Sequence, residues 1–176
     1  ANLQVRLPAV VIGGGLTGID TATEVQAYYI KQVEKTLERY ETLIEQWGEA
    51  PVHAQFDGPS LRILNELLAH GRRVREERER ARENNTHPDF VKLIREFGGV
   101  TVVYRRSMQE SPAYKRNHEE VVKALEEGIY YAQGLQPKSV VLDDDGFVSG
   151  LTCLSRIMDE EGQWMLWDEE QTIPAR

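Results

Sequence analysis

Cysteine is almost missing from this sequence: Cys153 is the single example, so no disulfide can form within the chain. That usage fits a reducing cytoplasm. Cys153 lies in the apolar run Leu151-Thr152-Cys153-Leu154. It reads as a small buried side chain, with a reactive thiol as the alternative. Long apolar runs are missing too. Nothing approaches the roughly 18 apolar residues that a membrane span needs. The early stretch Ala9–Ile12 is short and ends in glycines, so it does not read as a signal peptide. An excess of positive charge is also absent, because 21 Lys and Arg against 29 Asp and Glu give a formal net charge of −8. General nucleic-acid binding needs a basic face over the phosphates and is excluded on that ground, whereas a local basic pocket for one phosphate is not. His53, His70, His87 and His118 share no metal-ligand spacing and no cysteine pair accompanies them, so no metal site is read.

What the chain does have is length for one domain with a real core, at 176 residues. It opens without an initiator Met, almost directly into a strand, and closes at Pro174-Ala175-Arg176. Both ends read as trimmed, as in a domain excised from a larger protein. Residues 5–12 form the first expected strand, rich in β-branched side chains and stopped by Gly13-Gly14-Gly15. From Thr17 the apolar period becomes helical: Val25, Tyr29, Val33, Leu37, Tyr40, Ile44 and Trp47 recur at steps of three and four until Gly48 and Pro51. Ser60 can cap a second helix carrying Leu61, Leu64 and Leu68. Residues 72–83 interleave arginines and glutamates, with Arg75–Glu79 and Glu76–Arg80 at i,i+4 spacing, and read as a solvated helix or frayed tip. A short helix with Phe90, Ile94 and Phe97 leads to a strong second strand at residues 100–104, and an amphipathic helix is expected over residues 117–127. The rest alternates as strands at residues 129–133, 139–142, 147–158 and 164–167. Asp143-Asp144-Asp145-Gly146 and Asp159-Glu160-Glu161-Gly162 read as hairpin turns between them.

The glycines supply the strongest functional signal. Gly13-x-Gly15-x-x-Gly18 follows a strand and opens a helix, the context a dinucleotide fingerprint requires. Gly13 permits the tight turn, Gly15 lets backbone approach a pyrophosphate, and Gly18 lets helix and strand pack closely. The helix N-terminus adds free N–H groups and partial positive charge. A tight turn in some other α/β protein is the plainer reading. The second strand ends Val103-Tyr104-Arg105-Arg106 with no carboxylate, and arginine there suits the 2′-phosphate of NADP rather than the ribose hydroxyl of NAD. Surface arginines without a role are the alternative. Asp20, early in the helix, reads as a partner for its N-terminus or as facing the nicotinamide side of the pocket.

The residue that reads the ribose normally lies about 20 positions past the glycines, but here the second strand comes far later. The expectation is therefore an α/β fold: a Rossmann-like dinucleotide-binding domain over residues 1–176, with a long helical insert after its first βα unit and a C-terminal antiparallel β meander. The insert covers residues 28–87 and reads as an αα-hairpin, with Tyr28, Tyr29 and Trp47 in its own core. A partner or oligomer surface anchored by Tyr40 and Trp47 is the sharper alternative.

Several segments also resemble a known family in order. Val11-Ile12-Gly13-Gly14-Gly15-Leu16-Thr17-Gly18-Ile19-Asp20 is similar to the second nucleotide fingerprint, GGGxTAxD, of the glutamate synthase small-subunit (beta chain) family. Thr101-Val102-Val103-Tyr104-Arg105-Arg106-Ser107, Glu110-Ser111-Pro112-Ala113, Ala124-Leu125-Glu126-Glu127-Gly128-Ile129, Gly150-Leu151-Thr152-Cys153 and Thr172-Ile173-Pro174-Ala175 continue the likeness. The resemblance implies the NADPH domain of an FAD flavoprotein, in which hydride passes to flavin and electrons go on, often through iron–sulfur clusters, to an acceptor such as the glutamate synthase large subunit. It carries phosphate binding onto Gly13, Gly14, Gly15, Thr17 and Gly18, and the 2′-phosphate onto Arg105 and Arg106; Leu16, within the same turn, is expected at the cofactor site with them. Leu16, Gly18 and Ser111 depart from the usual Asn or Asp, Ala and Met, and the insert is foreign to the pattern. The FAD domain and the acceptor are expected as partners from the parent protein, with no nucleic acid and no membrane. The rivals are an interaction module whose insert drives self-association, and another nucleotide-using enzyme such as a methyltransferase.

Overall fold

β-Branched side chains in the middle of short apolar runs make the strands, and glycines end them. The computed structural model describes residues 3–176. In chain order the elements are β1 (Ala9–Ile12), α1 (Leu16–Trp47), α2 (Glu49–His53), α3 (Gly58–Glu83), α4 (Phe90–Glu96), β2 (Val100–Tyr104), α5 (Pro112–Glu126), β3 (Tyr130–Gln133), β4 (Leu135–Leu142), β5 (Val148–Met158) and β6 (Trp164–Pro174). The chain forms two units, Leu3–Gln26 with Ile94–Arg176, and Ala27–Leu93.

In the first unit β1, β2 and β3 make a parallel sheet in that spatial order. Ile12 pairs with Val103 and Tyr104 with Gln133, which aligns the carboxyl ends of the strands. Val100, Val102 and Val103 of the central strand are buried, as expected where a parallel strand is covered on both faces. Helix α5 starts at Pro112, its Ser111 cap accepting from the Tyr114 N–H at 3.2 Å. It buries Ala113, Val121 and Ala124. A separate antiparallel sheet follows, in the order β4-β5-β6. Its two hairpins share one device: the Asp143 carboxylate accepts from the Asp145 and Phe147 N–H groups, and that of Asp159 from Glu161 and Gln163. Val103, Leu135, Leu151 and Cys153 share a core with Val10, Ala132 and Ile173. Cys153 is 0 % exposed, and burial pushes its thiol pKa up, so it fills space rather than reacting.

This architecture corrects the expected fold class. The expected Rossmann-like domain with a C-terminal meander is replaced by a long helical region, a three-stranded parallel sheet and a separate three-stranded antiparallel sheet. The parallel order runs β1-β2-β3 without the reversal that makes a doubly wound sheet. The physical reason lies at Gly134. Its φ of +68° turns the chain after the third parallel strand, and β4 then pairs antiparallel with β5. A glycine turn after one strand is a local feature and leaves open how many parallel strands follow.

The second unit, Ala27–Leu93, contains the expected insert, residues 28–87. Leu37, Tyr40, Val52 and Leu68 form its core, with Ile44 and Leu64 against them. A Cβ at Gly71 would lie 2.6 Å from the Val33 carbonyl oxygen, so glycine permits the close approach of α3 to α1. Burying a leucine such as Leu37 or Leu68 contributes about 1.5–3 kcal/mol. Tyr29 is fully buried, with its hydroxyl 2.6 Å from His70 Nδ1. The two expected anchors separate: Tyr40 is buried and its hydroxyl lies 2.9 Å from His53 Nε2, whereas Trp47 is 68 % exposed. Trp47 borders a groove of about 350 Å³ with Leu43, Pro51, Val52, Gln55 and Phe56, rather than lying in the core.

Residues 72–83 are regular helix, and their arginines reach across to α1. Arg75 pairs with Glu41 at 2.6 and 2.8 Å rather than with Glu79, and Arg78 grips Glu34 while lying 4.8 Å over the Phe90 ring. Arg80 bonds Glu77 in place of Glu76. Glu77 also accepts from the Asp89 N–H at 2.6 Å. The Arg80 guanidinium, then this amide, holds the Glu77 carboxyl down to about 2, from an ordinary 4.5. A carboxyl depressed in the folded state stabilises it above its unfolded pKa and loses that contribution as pH falls towards the folded one. Thermal melts followed by circular dichroism will therefore show stability declining between pH 4.5 and about 2. The Glu77→Gln variant will show a shallower decline over the same interval. No helix among the described residues is long and apolar enough to cross a membrane.

Candidate functional site

The carboxyl ends of β1 and β2 carry nearly all the residues singled out in the sequence. Register brings them together: the Gly13 N–H donates to the Val103 carbonyl at 3.0 Å, so the glycine turn sits beside the strand that ends in Tyr104-Arg105-Arg106. Helix α1 starts at Leu16. The N–H groups of Gly18 and Ile19 donate back to Gly15 at 3.0 and 3.2 Å. Those of Leu16 and Thr17 precede any intrahelical bond and face outward from the helix start. Leu16 is half-buried and Thr17 exposed. Asp20 is exposed beyond the first turn, which contains no acidic residue.

The glycines divide into those the protein's own packing requires and one it does not. Gly13 has φ +137°, a conformation that side chains rarely adopt. A Cβ on Gly14 would lie 2.6 Å from the Tyr104 ring, and one on Gly18 would lie 2.6 Å from the Gly13 carbonyl oxygen. The alanine usual at position 18 in the resembled family would therefore force this turn to shift. Gly15 differs, because a Cβ there meets nothing within 4 Å. Its bare backbone borders open space beside the amide groups that begin α1.

Arg105 and Arg106 are exposed immediately after β2. Among the described residues no hydrogen bond or ion pair engages either guanidinium. The segment that carries them is nevertheless fixed. The Gly134 N–H donates to the Arg106 carbonyl at 3.2 Å, and the Met108 N–H donates to Gln133 Oε1 at 3.0 Å. Ser107 and Glu110 form a capping box: Glu110 Oε2 accepts from the Ser107 hydroxyl at 2.6 Å and the Ser107 N–H at 3.3 Å. Hydrogen bonds from Ser107, then from Trp164, hold the Glu110 carboxyl below the usual carboxylate range, and Arg106 adds to this. The site thus offers an anion two free guanidinium groups, helix-terminal amides and an uncovered glycine.

No protein-family model matches the chain. The chain is 35 % identical over 150 residues to an uncharacterized protein of Rickettsia prowazekii (strain Madrid E). The match takes in 85 % of this chain and 19 % of that protein. The chain therefore spans about a fifth of the length of the curated relative it matches.

Sequence reasoning did not assign Ser107, Gln133 or Trp164 to the site, and it noted Glu110 only as part of a resemblance. The spacing Ser107-x-x-Glu110 is a readable capping signature. Nothing in the sequence signals Trp164, which meets Glu110 from 54 positions away.

Proposed function

We propose that the chain binds NADPH at the turn between β1 and α1, with Arg105 and Arg106 on the 2′-phosphate, and presents it for hydride transfer to an FAD held elsewhere in its parent protein. The observation that carries this reading is Gly15. Packing and backbone conformation account for the other glycines of the fingerprint, whereas the missing side chain at Gly15 opens a space that suits a pyrophosphate. The paired arginines at the end of the neighbouring strand support NADP over NAD, since a guanidinium offers a fixed fork of donors to a phosphate. NADPH, when bound, supplies the hydride. The chain's own residues bind and orient it: the Leu16 and Thr17 amides face the phosphates, and the arginines select the 2′-phosphorylated ribose. The likeness to the glutamate synthase small-subunit family supports a cytoplasmic flavoprotein parent whose electrons go on to an iron–sulfur or glutamate synthase-like acceptor.

Calorimetric titration of the purified chain with NADPH, NADH and S-adenosylmethionine tests the reading. NADPH will bind at least roughly tenfold tighter than NADH, the equivalent of one charge-assisted contact. The chain alone will be colourless and without diaphorase activity. Equal affinity for the two nicotinamide nucleotides would remove the role of the arginines, and binding of S-adenosylmethionine in their place would overturn the whole proposal.

A further inference from the structure

Trp164 opens β6 and is only half-buried, yet its polar edge is fully engaged. Its indole N–H donates to Glu110 Oε2 at 2.8 Å, the same oxygen that takes both Ser107 donors. Its carbonyl accepts from Arg156 Nη2 at 2.8 Å, which ties it to the adjacent strand β5. Its ring lies 3.4 Å from where a Cβ on Gly134 would stand. Gly134 donates to the Arg106 carbonyl and accepts from the Arg156 N–H at 2.7 Å. Trp164 and Gly134 therefore clamp the segment Arg106–Glu110 from one side, while Gln133 holds Met108.

We propose that Trp164 is a positioning residue for the arginine pair, its indole N–H fixing Glu110 and with it the segment that presents Arg105 and Arg106 to a 2′-phosphorylated adenosine. The inference rests on the reading of this edge as an NADPH site and adds a role for the antiparallel sheet within it. Arginine side chains are long, and a ligand that immobilises them loses binding energy to their ordering. Holding the backbone beneath them reduces that loss. The Ser107 and Trp164 donors converge on Glu110 Oε2 and hold the carboxylate in place; released, it would be free to move towards Arg106, whose charge already acts on it.

The Trp164→Phe variant removes the donor and keeps a ring against Gly134. Titrations use NADPH and adenosine 2′,5′-bisphosphate, with NADH and 5′-AMP as probes lacking the 2′-phosphate. Trp164→Phe will weaken the first pair roughly 3- to 10-fold and leave the second pair within about twofold, as loss of one supporting hydrogen bond predicts. Equal weakening of all four, or no change in a variant that melts like wild type, overturns the inference. Should Trp164→Phe fail to fold, Glu110→Gln keeps the shape and weakens the same clamp; it will also weaken NADPH selectively. Tighter NADPH binding by Glu110→Gln would show that Glu110 competes for the arginines and would overturn the inference instead. If the wild-type chain binds no NADPH, the reading beneath it falls and the inference with it. Wild-type binding with an unaltered Trp164→Phe variant sinks the inference alone.

Discussion

The double variant Arg105→Ala/Arg106→Ala will bind NADPH on the order of a hundredfold more weakly than wild type, with NADH affinity nearly unchanged. Each charge-assisted contact to a phosphate contributes about 1.5–3 kcal/mol when well formed. Both guanidinium groups are exposed, so water and salt screen them, and the combined loss stays near the lower end of the sum. The fold will not suffer. No hydrogen bond or ion pair among the described residues uses either side chain, so their removal strands no buried partner, and surface changes of this kind stay within about 0.5 kcal/mol. Salt gives a second readout: raising ionic strength will weaken NADPH more than NADH in wild type, and the difference will vanish in the double variant. A loss shared equally by both nucleotides would place the arginines on the pyrophosphate, or on the shape of the loop, and not on the 2′-phosphate.

What the sequence made legible is what is decided locally. The β-branched runs, the glycine stops, the helical period from Val25 to Trp47 and the aspartate turns each depend on neighbours within a few residues, and each lies where an element or turn is found. The division of the strands between two sheets was not legible. That the parallel sheet stops after three strands and a separate antiparallel sheet begins at β4 depends on pairing between segments far apart in the chain, whereas the Asp143 hairpin that joins β4 to β5 is local. The arginine-rich stretch shows the same limit. Helical spacing suggested partners one turn away for Arg75, whereas its carboxylate comes from Glu41 on another helix. At the candidate site, the sequence supplied the glycines and arginines but not their inequality. Only the geometry separates Gly18, pressed against the Gly13 carbonyl, from Gly15, which faces open space. Trp164 was invisible for the same reason as the sheet, since its partner Glu110 is brought to it by tertiary structure.

That inequality gives the sharpest test of what the turn is for. Gly15→Val and Gly18→Ala sit three positions apart in one motif, and they will fail in opposite ways. At Gly15 an added Cβ meets nothing within 4 Å and stands in open space, so the variant will fold and melt like wild type. Its side chain then occupies the space assigned to the pyrophosphate, which NADPH and NADH share, and both will lose at least roughly tenfold in affinity, the equivalent of a lost phosphate contact. At Gly18 the new Cβ would stand 2.6 Å from the Gly13 carbonyl oxygen, a backbone atom with little freedom to yield. Overpacking of this kind costs about 1–3 kcal/mol, and it will appear as a lower midpoint of urea unfolding for the unit that contains the turn. Any loss of nucleotide affinity in Gly18→Ala will accompany that destabilisation, and in Gly15→Val it will occur without it. Were Gly15→Val to bind both nucleotides as wild type does, the open space at Gly15 would not be a phosphate site, and the case for a nucleotide at this turn would go with it.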